Sequence, residues 1–359
     1  MSSFKERLLD YKKLIDSDIE VYASHIRRTT REQYGESAGV VTEAYLDMLA
    51  HGGKRIRGAL AMVGYEMCGG KDREMIVRAA TAIEMTHAYI LIIDDIQDRS
   101  TLRRGQPTVH ETLAAYHRAH SLRGSADHTG ISLALNAALT GAHAAQMLFA
   151  GLSVDAELRL KVLGIVNHTM IITAHGQTSD IMNECTAKVA TADVEHAMEL
   201  KTAHYTILNP LCVGMVLAGA GCEGTDAIRD YAIHAGKAFQ ITDDIIGVFG
   251  DDKQTGKNTM DDIREGKRTL LTVYALEHAA TADRHFLLAS LGNEELTKAD
   301  FLKCQQIIKK SGAPEQSLAE AHNHIEKALK ALDIQKGRWS SEGVAFLNQL
   351  AQSLLERSS

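Results

Sequence analysis

The chain has few of the residues that typically mark loops, strands or disulfide frameworks. Of 359 residues only three are proline and one is tryptophan, and aromatic residues make up 5%. Because proline interrupts helices and aromatic residues favour strands, this scarcity predicts long helices joined by short connections. Lys and Arg number 39 against 46 Asp and Glu, for a net charge of −7. Bulk nucleic-acid binding draws on clustered positive charge, so we expect no nucleic-acid partner.

Two further absences concern the compartment. The five cysteines are dispersed and form no CxxC pair, which predicts reduced, buried thiols and neither a disulfide framework nor a zinc site. The amino terminus is charged and shows no apolar segment of a secretory signal. The most apolar stretch, 131–154, contains Asn136, His143 and Gln146, and no run reaches the roughly 18 apolar residues that a membrane span needs. These features predict a soluble, cytoplasmic protein without a membrane span.

Apolar residues recur every three or four positions through most of the chain, as in amphipathic helices. The segments with this pattern are 5–26, 41–49, 73–98, 131–152, 156–183, 194–222, 226–248, 270–279, 298–310, 315–332 and 342–355. Several exceed the average helix of about 12 residues, and the central ones are apolar on nearly every side. No tandem repeat, long linker or change in composition divides the chain. The sequence therefore predicts one all-α domain over residues 1–359.

The first acidic cluster ends an apolar helical segment and consists of Asp94, Asp95 and Asp98. Asp94 and Asp98 are four residues apart and share one face of a helix. Carboxylates stacked there repel one another and resist losing water unless a cation lies between them. Oxygen ligands with no His or Cys nearby suit Mg²⁺ or Mn²⁺ better than zinc. Solvated surface acids are the alternative that this motif alone leaves open.

The second acidic cluster repeats this chemistry more than a hundred residues later. Another apolar helical segment ends in Asp243 and Asp244, and a glycine-rich loop with several lysines follows. Two such helices could face each other across a bundle, where Mg²⁺ would bridge their carboxylates to a diphosphate, since Mg²⁺ usually combines few carboxylates with substrate phosphates. The occurrence of two clusters argues against the surface alternative.

Basic residues accompany the acidic clusters. Lys54 and Arg57 are three residues apart after a glycine pair, and Arg103 and Arg104 closely follow the first cluster. Guanidinium groups bind phosphate oxygens in a fork, and a helix start is a natural anion site. Each basic pair alone would be a solvated surface feature in most proteins. Together with the acidic clusters, they predict a site for two diphosphates, one held through metal and the other by cationic side chains.

These motifs, in this order, resemble those of the trans-isoprenyl diphosphate synthases, which make geranyl, farnesyl, geranylgeranyl and longer prenyl diphosphates. The resemblance extends from Gly52 to Thr269. It is carried by GGKRIR at 52–57, DDIQD at 94–98, RRGQPTVH at 103–110, GQTSD at 176–180, KT at 201–202, FQITDD at 239–244 and EGKRT at 265–269. The family resemblance implies an all-α fold of about ten core helices around a deep central cavity, usually in a homodimer.

The resemblance also implies roles for individual residues. Isopentenyl diphosphate would be bound by Lys54, Arg57, His87 and Arg104. The allylic diphosphate would be contacted by Arg103, Lys201, Thr202, Gln240, Lys257 and Lys267. A cluster of three Mg²⁺ ions, replaceable by Mn²⁺, would be held by Asp94, Asp95, Asp98, Asp243 and Asp244. These five aspartates, with Arg103 and Lys201, would be the catalytic set for ionisation of the allylic diphosphate, condensation with isopentenyl diphosphate and loss of a proton.

Four features depart from the pattern of the family. Gly247 stands where many relatives have a third aspartate in the second cluster, and Ile93 replaces a histidine often found before the first. Leu135 and Asn136 stand where relatives commonly have a Gly-Asp pair, and residues 117–129 are longer than in short-chain relatives. None of these changes removes an expected metal or diphosphate ligand.

Product length is expected to depend on the residues beneath the first cluster. Tyr89 is five residues before Asp94, and Ile90 is one helical turn before it. In the family an aromatic residue there, with no insertion in the DDxxD motif, resembles archaeal-type geranylgeranyl synthases. A bulky ring would stop a growing chain because packed interiors yield little. The expected product is geranylgeranyl diphosphate (C20), with farnesyl diphosphate (C15) as the alternative.

Other classes of protein remain open from the sequence. A terpene cyclase would share the metal chemistry but would not need the isopentenyl-binding cations. A non-catalytic subunit of a heteromeric synthase is another alternative, although such subunits tend to lose aspartates or arginines that are present here. Glu84 and His87 form one ExxH pair, whereas a ferritin-like di-iron bundle needs two such pairs and two more glutamates.

Overall fold

Helices make up nearly all of the computed structural model, which describes residues 4–51, 53–221, 226–250, 259–333 and 337–356. The helices are α1 (Phe4–Tyr34), α2 (Glu36–Ala50), α3 (Ile56–Met67), α4 (Arg73–Gln97), α5 (Val109–Ala119), α6 (Ala126–Ala150), α7 (Ala156–Cys185), α8 (Thr191–Met198), a π-helix (Glu199–Leu208), α9 (Asn209–Leu217), α10 (Asp226–Phe249), α11 (Asp261–Glu265), α12 (Leu270–His278), α13 (Thr281–Ser290), α14 (Lys298–Lys310), α15 (Ala313–Asp333) and α16 (Ser341–Leu355). Within these ranges the β structure is one hairpin, β1 (Leu102–Arg103) with β2 (Gln106–Pro107).

The chain divides into two compact helical units. Unit 1 comprises Met1–Ile165 and Pro210–Cys222, and unit 2 comprises Val166–Asn209 and Glu223–Ser359. The first acidic cluster belongs to unit 1 and the second belongs to unit 2. The expectation of a single domain over residues 1–359 stays a prediction.

Most of the predicted helices are confirmed, and the errors have physical reasons. The prediction for α14 matches both of its ends, whereas the single helix predicted over 194–222 is wrong because α8, the π-helix and α9 divide that segment. Helix α3 lies outside the predicted segments because Gly58–Tyr65 are all buried, and a helix that is apolar on every side gives no periodic signal. The short helices α5, α11 and α13 also lie outside the predicted segments.

Helix α4 is the central element of unit 1. It begins at Arg73, where the Asp72 side chain accepts a hydrogen bond from the Met75 N–H, and it packs against α1, α2, α3 and α6. It is the one helix in the described ranges that is long and apolar enough to cross a membrane, but 72% of its most apolar stretch is buried within the protein. Core helices of soluble proteins can be equally long and apolar, so these properties of α4 are weak evidence for a membrane span. Burial on nearly all sides holds α4 in one position relative to its neighbours.

Helix α10 has the corresponding place in unit 2. It packs against the π-helix, α8, α15 and α16, and the buried Tyr231 hydroxyl donates a hydrogen bond to the Leu347 carbonyl of α16 (2.7 Å). A buried tyrosine hydroxyl needs such a partner, so this bond fixes α10 against α16. The carboxyl-terminal half of α10 carries the second acidic cluster.

One expectation about cysteine is wrong. Cys212, at the centre of α9, is disulfide-bonded, whereas the sequence predicted five reduced thiols. Cys68, Cys185 and Cys304 are thiols, but Cys185 is exposed rather than buried, and Cys222 lies outside the described residues. The dispersed spacing gave no signal for a pairing, because spacing alone cannot place two sulfur atoms at bonding distance.

Candidate active-site residues

The first acidic cluster lies at the carboxyl-terminal end of α4, which is the unfavourable end for negative charge. Asp94 and Asp95 are in the last turn, Asp98 caps the helix, and that turn contains no basic residue. The helix macrodipole is negative here and opposes carboxylates. Asp95 is fully buried and Asp98 is 8% exposed. Such a cluster requires positive charge from elsewhere.

Arg103 supplies this charge from the β1–β2 hairpin. Its Nε donates to Asp95 Oδ1 (2.7 Å) and its Nη2 donates to Asp94 Oδ2 (3.0 Å). Burial alone would lower the pKa of Arg103, but attraction to Asp95 and Asp94 raises the pKa above its ordinary value. The two loop residues, Arg104 and Gly105, both have positive φ angles (54° and 75°), as the tight type I′ hairpin requires. The RRGQ sequence therefore forms a turn that directs one arginine onto the carboxylates.

The basic groups of unit 1 gather around His87. Arg104 Nη1 donates to the His51 carbonyl (2.7 Å), which joins the hairpin to the loop that precedes α3. Arg57 Nη1 lies 3.2 Å from His87 Nε2, and since arginine only donates, this ring nitrogen is the acceptor. Burial and the neighbouring guanidinium groups, led by Arg57 and Arg104, lower the pKa of His87 well below its ordinary value. The ring is therefore neutral at pH 7, and Lys54 is exposed in the same loop.

In unit 2, Lys201 and Thr202 lie on the π-helix. Irregular helices of this kind are rare and are frequent at functional sites. Gly176 of α7 explains how closely the neighbouring helix approaches, because a Cβ atom there would stand 2.3 Å from the Lys201 backbone nitrogen. One turn further along α7, Asp180 Oδ2 accepts a hydrogen bond from Lys201 Nζ (2.7 Å). The GQTSD motif thus holds the lysine through one glycine and one carboxylate.

A chain of hydrogen bonds connects the π-helix to the second acidic cluster. The Thr202 hydroxyl donates to Gln240 Oε1 (2.7 Å), and Gln240 Nε2 donates to Asp244 Oδ1 (2.8 Å). Gln240 and Asp244 are one turn apart on α10, so they face the π-helix together. The arrangement orients one oxygen of Asp244, while Asp243 is exposed beside it.

Asp244 lies in a strongly acidic environment. Loss of water around its carboxyl, opposed by the Gln240 hydrogen bond, raises its pKa well above the ordinary value, and neighbouring Asp262 and Asp243 raise it further. Lys267 Nζ is 2.8 Å from Glu265 Oε2 and 3.6 Å from Asp262 Oδ1. Like-charged carboxylates that are brought together in this way favour either a proton or a bound cation.

The structure brings together many of the residues predicted for the site. Within unit 1 these are Asp94, Asp95, Arg103, Arg57, His87 and Arg104. Within unit 2 they are Lys201, Thr202, Gln240, Asp243, Asp244 and Lys267. Tyr89 and Ile90 are partly buried on α4 below the first cluster, and Lys257 and Gly52 lie outside the described residues. The substrate roles of all these residues remain predictions.

Two carboxylates in unit 2 were not expected from the sequence. Asp180 contacts Lys201 and belongs to the quoted GQTSD motif, which was the available signal. Asp262 lies on α11, and its charge raises the pKa of Asp244. No pattern in the sequence indicated Asp262. In unit 1, Glu84 accepts a hydrogen bond from the Gly58 N–H, and His87 contacts Arg57. Both members of the ExxH pair therefore contact residues of α3.

The acidic side chains have the ligand chemistry that a hard divalent cation prefers. All the donors are oxygens, two carboxylates already share the cation Arg103, and the crowding around Asp244 would be relieved by positive charge. Over the ranges that the structure describes, no three His, Cys, Asp or Glu side chains stand around one metal position. Mg²⁺ commonly binds through one or two carboxylates, water and substrate phosphates, so a complete cage of protein ligands is not required.

Comparison with known proteins agrees with this chemistry. The chain is 30% identical over 322 residues to the geranylgeranyl diphosphate synthase of Sulfolobus acidocaldarius, covering 89% of this chain and 88% of that protein. It is 32% identical over 318 residues to the geranylfarnesyl diphosphate synthase of Aeropyrum pernix, covering 88% and 93%. The crystal structure of geranylgeranyl pyrophosphate synthase from Corynebacterium glutamicum, complexed with isoprenyl diphosphate and magnesium, matches with a TM-score of 0.91 at 30% identity, covering 97% and 98%.

This structural match confirms the predicted all-α, isoprenoid synthase-type fold. The polyprenyl synthetase family model matches residues 39–308, which include both acidic clusters and every basic motif. The chain therefore belongs to the polyprenyl synthetase family.

Proposed function

We propose that this chain is a Mg²⁺-dependent prenyltransferase that condenses isopentenyl diphosphate with an allylic diphosphate to give geranylgeranyl diphosphate. The observation that carries the proposal is the position of Arg103, which contacts the first acidic cluster and also belongs to the group of arginines around the neutral His87. An anion-binding and a cation-binding group thus adjoin in unit 1. Two diphosphates, one bound with metal and one without, require this combination.

The basic groups of unit 1 would bind the diphosphate of isopentenyl diphosphate. Arg57 and Arg104 offer guanidinium forks, Lys54 is exposed in the same loop, and neutral His87 accepts from Arg57. The allylic diphosphate would be bound by Arg103 and, in unit 2, by Lys201, Thr202, Gln240, Lys257 and Lys267. Hydrogen bonds from Thr202 and Gln240 would hold Asp244 in one orientation during the reaction.

The reaction breaks the allylic C–O bond, and its electron pair leaves with pyrophosphate. The π-bond of isopentenyl diphosphate then forms a C–C bond to allylic C1, and pyrophosphate accepts the proton that is lost. Mg²⁺ bound by the five aspartates would neutralise charge on the leaving group. Arg103 and Lys201 would stabilise the same charge, and their fixed hydrogen bonds to carboxylates orient them before the reaction. Three ions per site and replacement by Mn²⁺ are part of this proposal.

The C20 product is proposed from tyrosines around α4. Tyr45 of α2 is fully enclosed, and its hydroxyl donates to the Met85 carbonyl of α4 (3.1 Å). Burial, followed by the charges of Tyr22 and Tyr89, raises the pKa of Tyr45 well above its ordinary value, so both of these tyrosines lie within electrostatic range of Tyr45. We infer that Tyr89, supported by this group and flanked by Ile90, limits the growing chain because a packed aromatic group yields little space.

The second acidic cluster has Gly247 where many relatives have a third aspartate, and another carboxylate lies beside that glycine. A Cβ atom on Gly247 would stand 2.2 Å from Asp262 Oδ2, so the space beside α10 is taken by the Asp262 side chain. The charge of Asp262 also raises the pKa of Asp244, and Asp262 Oδ1 lies 3.6 Å from Lys267 Nζ. We propose that Asp262, from α11, supplies the third carboxylate of the second cluster. On this proposal the cluster keeps three carboxylates, and the third comes from Asp262 of α11 and not from position 247 of α10.

The exposed face of α6 is proposed to form a homodimer. Its opposite face is buried in unit 1, yet Ile131, Leu135, Leu139 and Met147 are exposed, with Leu139 at 57% and Met147 at 74%. Neighbouring exposed apolar side chains on one helix are typical of a covered surface. Leu135 and the exposed Asn136 lie on this face, so their departure from the family pattern concerns the proposed interface. Cytoplasmic localisation stays a prediction.

The purified protein should elongate allylic diphosphates in the presence of Mg²⁺. Incubation with isopentenyl diphosphate and dimethylallyl, geranyl or farnesyl diphosphate in turn, followed by chromatography of the dephosphorylated products, measures this. EDTA should abolish elongation, and Asp94→Ala or Asp244→Ala should lower kcat by about 100-fold or more, because each removes stabilisation of the leaving group. Release of diphosphate from one substrate without elongation would indicate a terpene cyclase. A folded but inactive protein would indicate a non-catalytic subunit.

Replacing Tyr89 by Ala should lengthen the major product beyond C20, since the ring would no longer block the chain. The product distribution from farnesyl and isopentenyl diphosphate measures the change. Tyr34→Ala is the matched control, because Tyr34 is a solvent-exposed tyrosine at the end of α1. An unchanged product distribution in Tyr89→Ala would show that another residue limits length. A wild-type protein that makes C15 from dimethylallyl diphosphate but does not elongate farnesyl diphosphate would favour the farnesyl alternative.

Asp262→Ala should lower kcat by ~10- to 100-fold, the usual range for loss of a supporting carboxylate at a metal site. The double variant Gly247→Asp/Asp262→Ala should recover much of this loss, because the vacated space then receives a carboxylate from α10. Asp261→Ala, one residue away on α11, is the control and should change little. Steady-state kinetics of the three variants decide the matter: full activity in Asp262→Ala would refute the assignment.

Leu139→Glu combined with Met147→Glu should convert a dimer to a monomer of 39.2 kDa, because burying two carboxylates at an interface is unfavourable. Light scattering after size-exclusion chromatography measures the mass. Leu302→Glu is the control, since Leu302 is similarly exposed on α14 (46%). A wild-type protein that is already monomeric would contradict the proposal.

A further inference from the structure

Arg55 is the buried member of the GGKRIR motif. Its side chain is only 4% exposed, whereas Lys54 before it is exposed and Arg57 after it is partly buried. The backbone of Arg55 is left-handed (φ 55°, ψ 36°), a conformation that is unfavourable for residues with a side chain. A strained backbone of this kind persists only where the surroundings hold it firmly.

The guanidinium of Arg55 contacts three helices. Nε donates to Asp16 Oδ1 of α1 (2.8 Å), and Nη2 donates to the Leu49 carbonyl of α2 (2.7 Å). Nη1 lies 3.5 Å from Glu84 Oε2 of α4. These contacts are made by three separate nitrogen atoms spread over the planar group, whereas the donors of a lysine ammonium all share one nitrogen. Lys12 also bonds Asp16, so that carboxylate is itself held in place.

Glu84 connects Arg55 to the first turn of α3. One oxygen faces Arg55, and the other accepts a hydrogen bond from the Gly58 backbone N–H (2.8 Å), which is among the N–H groups that lack a partner within the helix. Glu84 and His87 are three residues apart on α4 and so lie on one face. The same stretch of α4 therefore holds the loop and supplies the ring that Arg57 contacts.

We propose that Arg55, held by Asp16, Leu49 and Glu84, is a positioning residue for the isopentenyl diphosphate subsite. It fixes the left-handed turn from which Lys54 and Arg57 extend in a single relative orientation. Its side chain is 4% exposed and its three contacts are directed at α1, α2 and α4, so we assign it no contact with the substrate. The inference rests on the proposed function insofar as it names isopentenyl diphosphate as the ligand of Lys54 and Arg57.

The test compares Arg55→Lys and Glu84→Gln with wild type. Calorimetry in EDTA measures binding of isopentenyl diphosphate alone, and kinetics with Mg²⁺ measures the KM for each substrate. Arg55→Lys keeps the charge but loses the fork, so both its Kd and its KM for isopentenyl diphosphate should rise about tenfold or more, as is usual when binding groups shift slightly. Its KM for the allylic substrate should stay within about twofold. Glu84→Gln should change the same quantities in the same direction by a smaller factor.

Arg78→Lys is the matched control. Arg78 of α4 lies 3.2 Å from Asp18 of α1, so it joins the same two helices away from the loop. Because Arg78 is 34% exposed, Arg78→Lys should lower the melting temperature no more than Arg55→Lys does, and it should leave both KM values unchanged. If Arg78→Lys also weakens isopentenyl diphosphate binding, or if Arg55→Lys raises both KM values equally, the role of Arg55 is merely structural and the inference is wrong.

Turnover and binding are separate readouts. A wild-type protein that elongates, alongside an Arg55→Lys variant with wild-type binding, would overturn the inference alone. A wild-type protein that binds isopentenyl diphosphate without elongating would overturn the proposed function, while calorimetry of the variants would still decide the role of Arg55. Absence of any isopentenyl diphosphate binding by the wild type would overturn both.

Discussion

The organisation of each acidic cluster follows from carboxylates placed in the carboxyl-terminal part of an apolar helix. Asp94, Asp95 and Asp98 end α4, where the helix dipole is negative, and Asp244 lies in the carboxyl-terminal half of α10 beside other carboxylates. Each cluster depends on groups supplied by other elements. In unit 1 the group is Arg103 of the β1–β2 hairpin, and in unit 2 it is Thr202 of the π-helix, which bonds Asp244 through Gln240 of α10 itself. Carboxylates that favour cations in this way suit a catalyst that must neutralise the charge of a leaving diphosphate.

Some of the irregular backbone of the chain lies in the segments that present these groups. Arg55 and Arg104 are both left-handed non-glycine residues, and both lie in the segments that surround His87. Lys201 and Thr202 lie on the π-helix. The turn at Arg104 and Gly105 directs Arg103 onto the carboxylates, and the left-handed Arg55 directly precedes α3, which carries Arg57. Contacts with the buried helices keep these strained backbone conformations in place.

The sequence predicted the class of fold and the chemical identity of the site because both depend on local patterns. Periodic apolar residues identified α14 to the residue, and the acid-tipped helices stood out against their apolar surroundings. The prediction failed where a segment is apolar on every side, as in α3, and where a continuous apolar pattern conceals a change of helix type, as over 194–222. Neither of these features alters the spacing of apolar residues, which was the signal used.

By itself the sequence determined that the protein is helical, that it carries two acid clusters with basic partners, and that these resemble one family. Only the tertiary structure decided which groups meet: Arg103 with Asp94 and Asp95, Gln240 with Asp244, and Asp262 in the space beside Gly247. It also decided that Arg55 is buried while Lys54 is exposed. The physical reason is that residue type and helical period are local properties. A hydrogen bond or a steric conflict between distant segments depends on how whole helices pack, which no local pattern encodes.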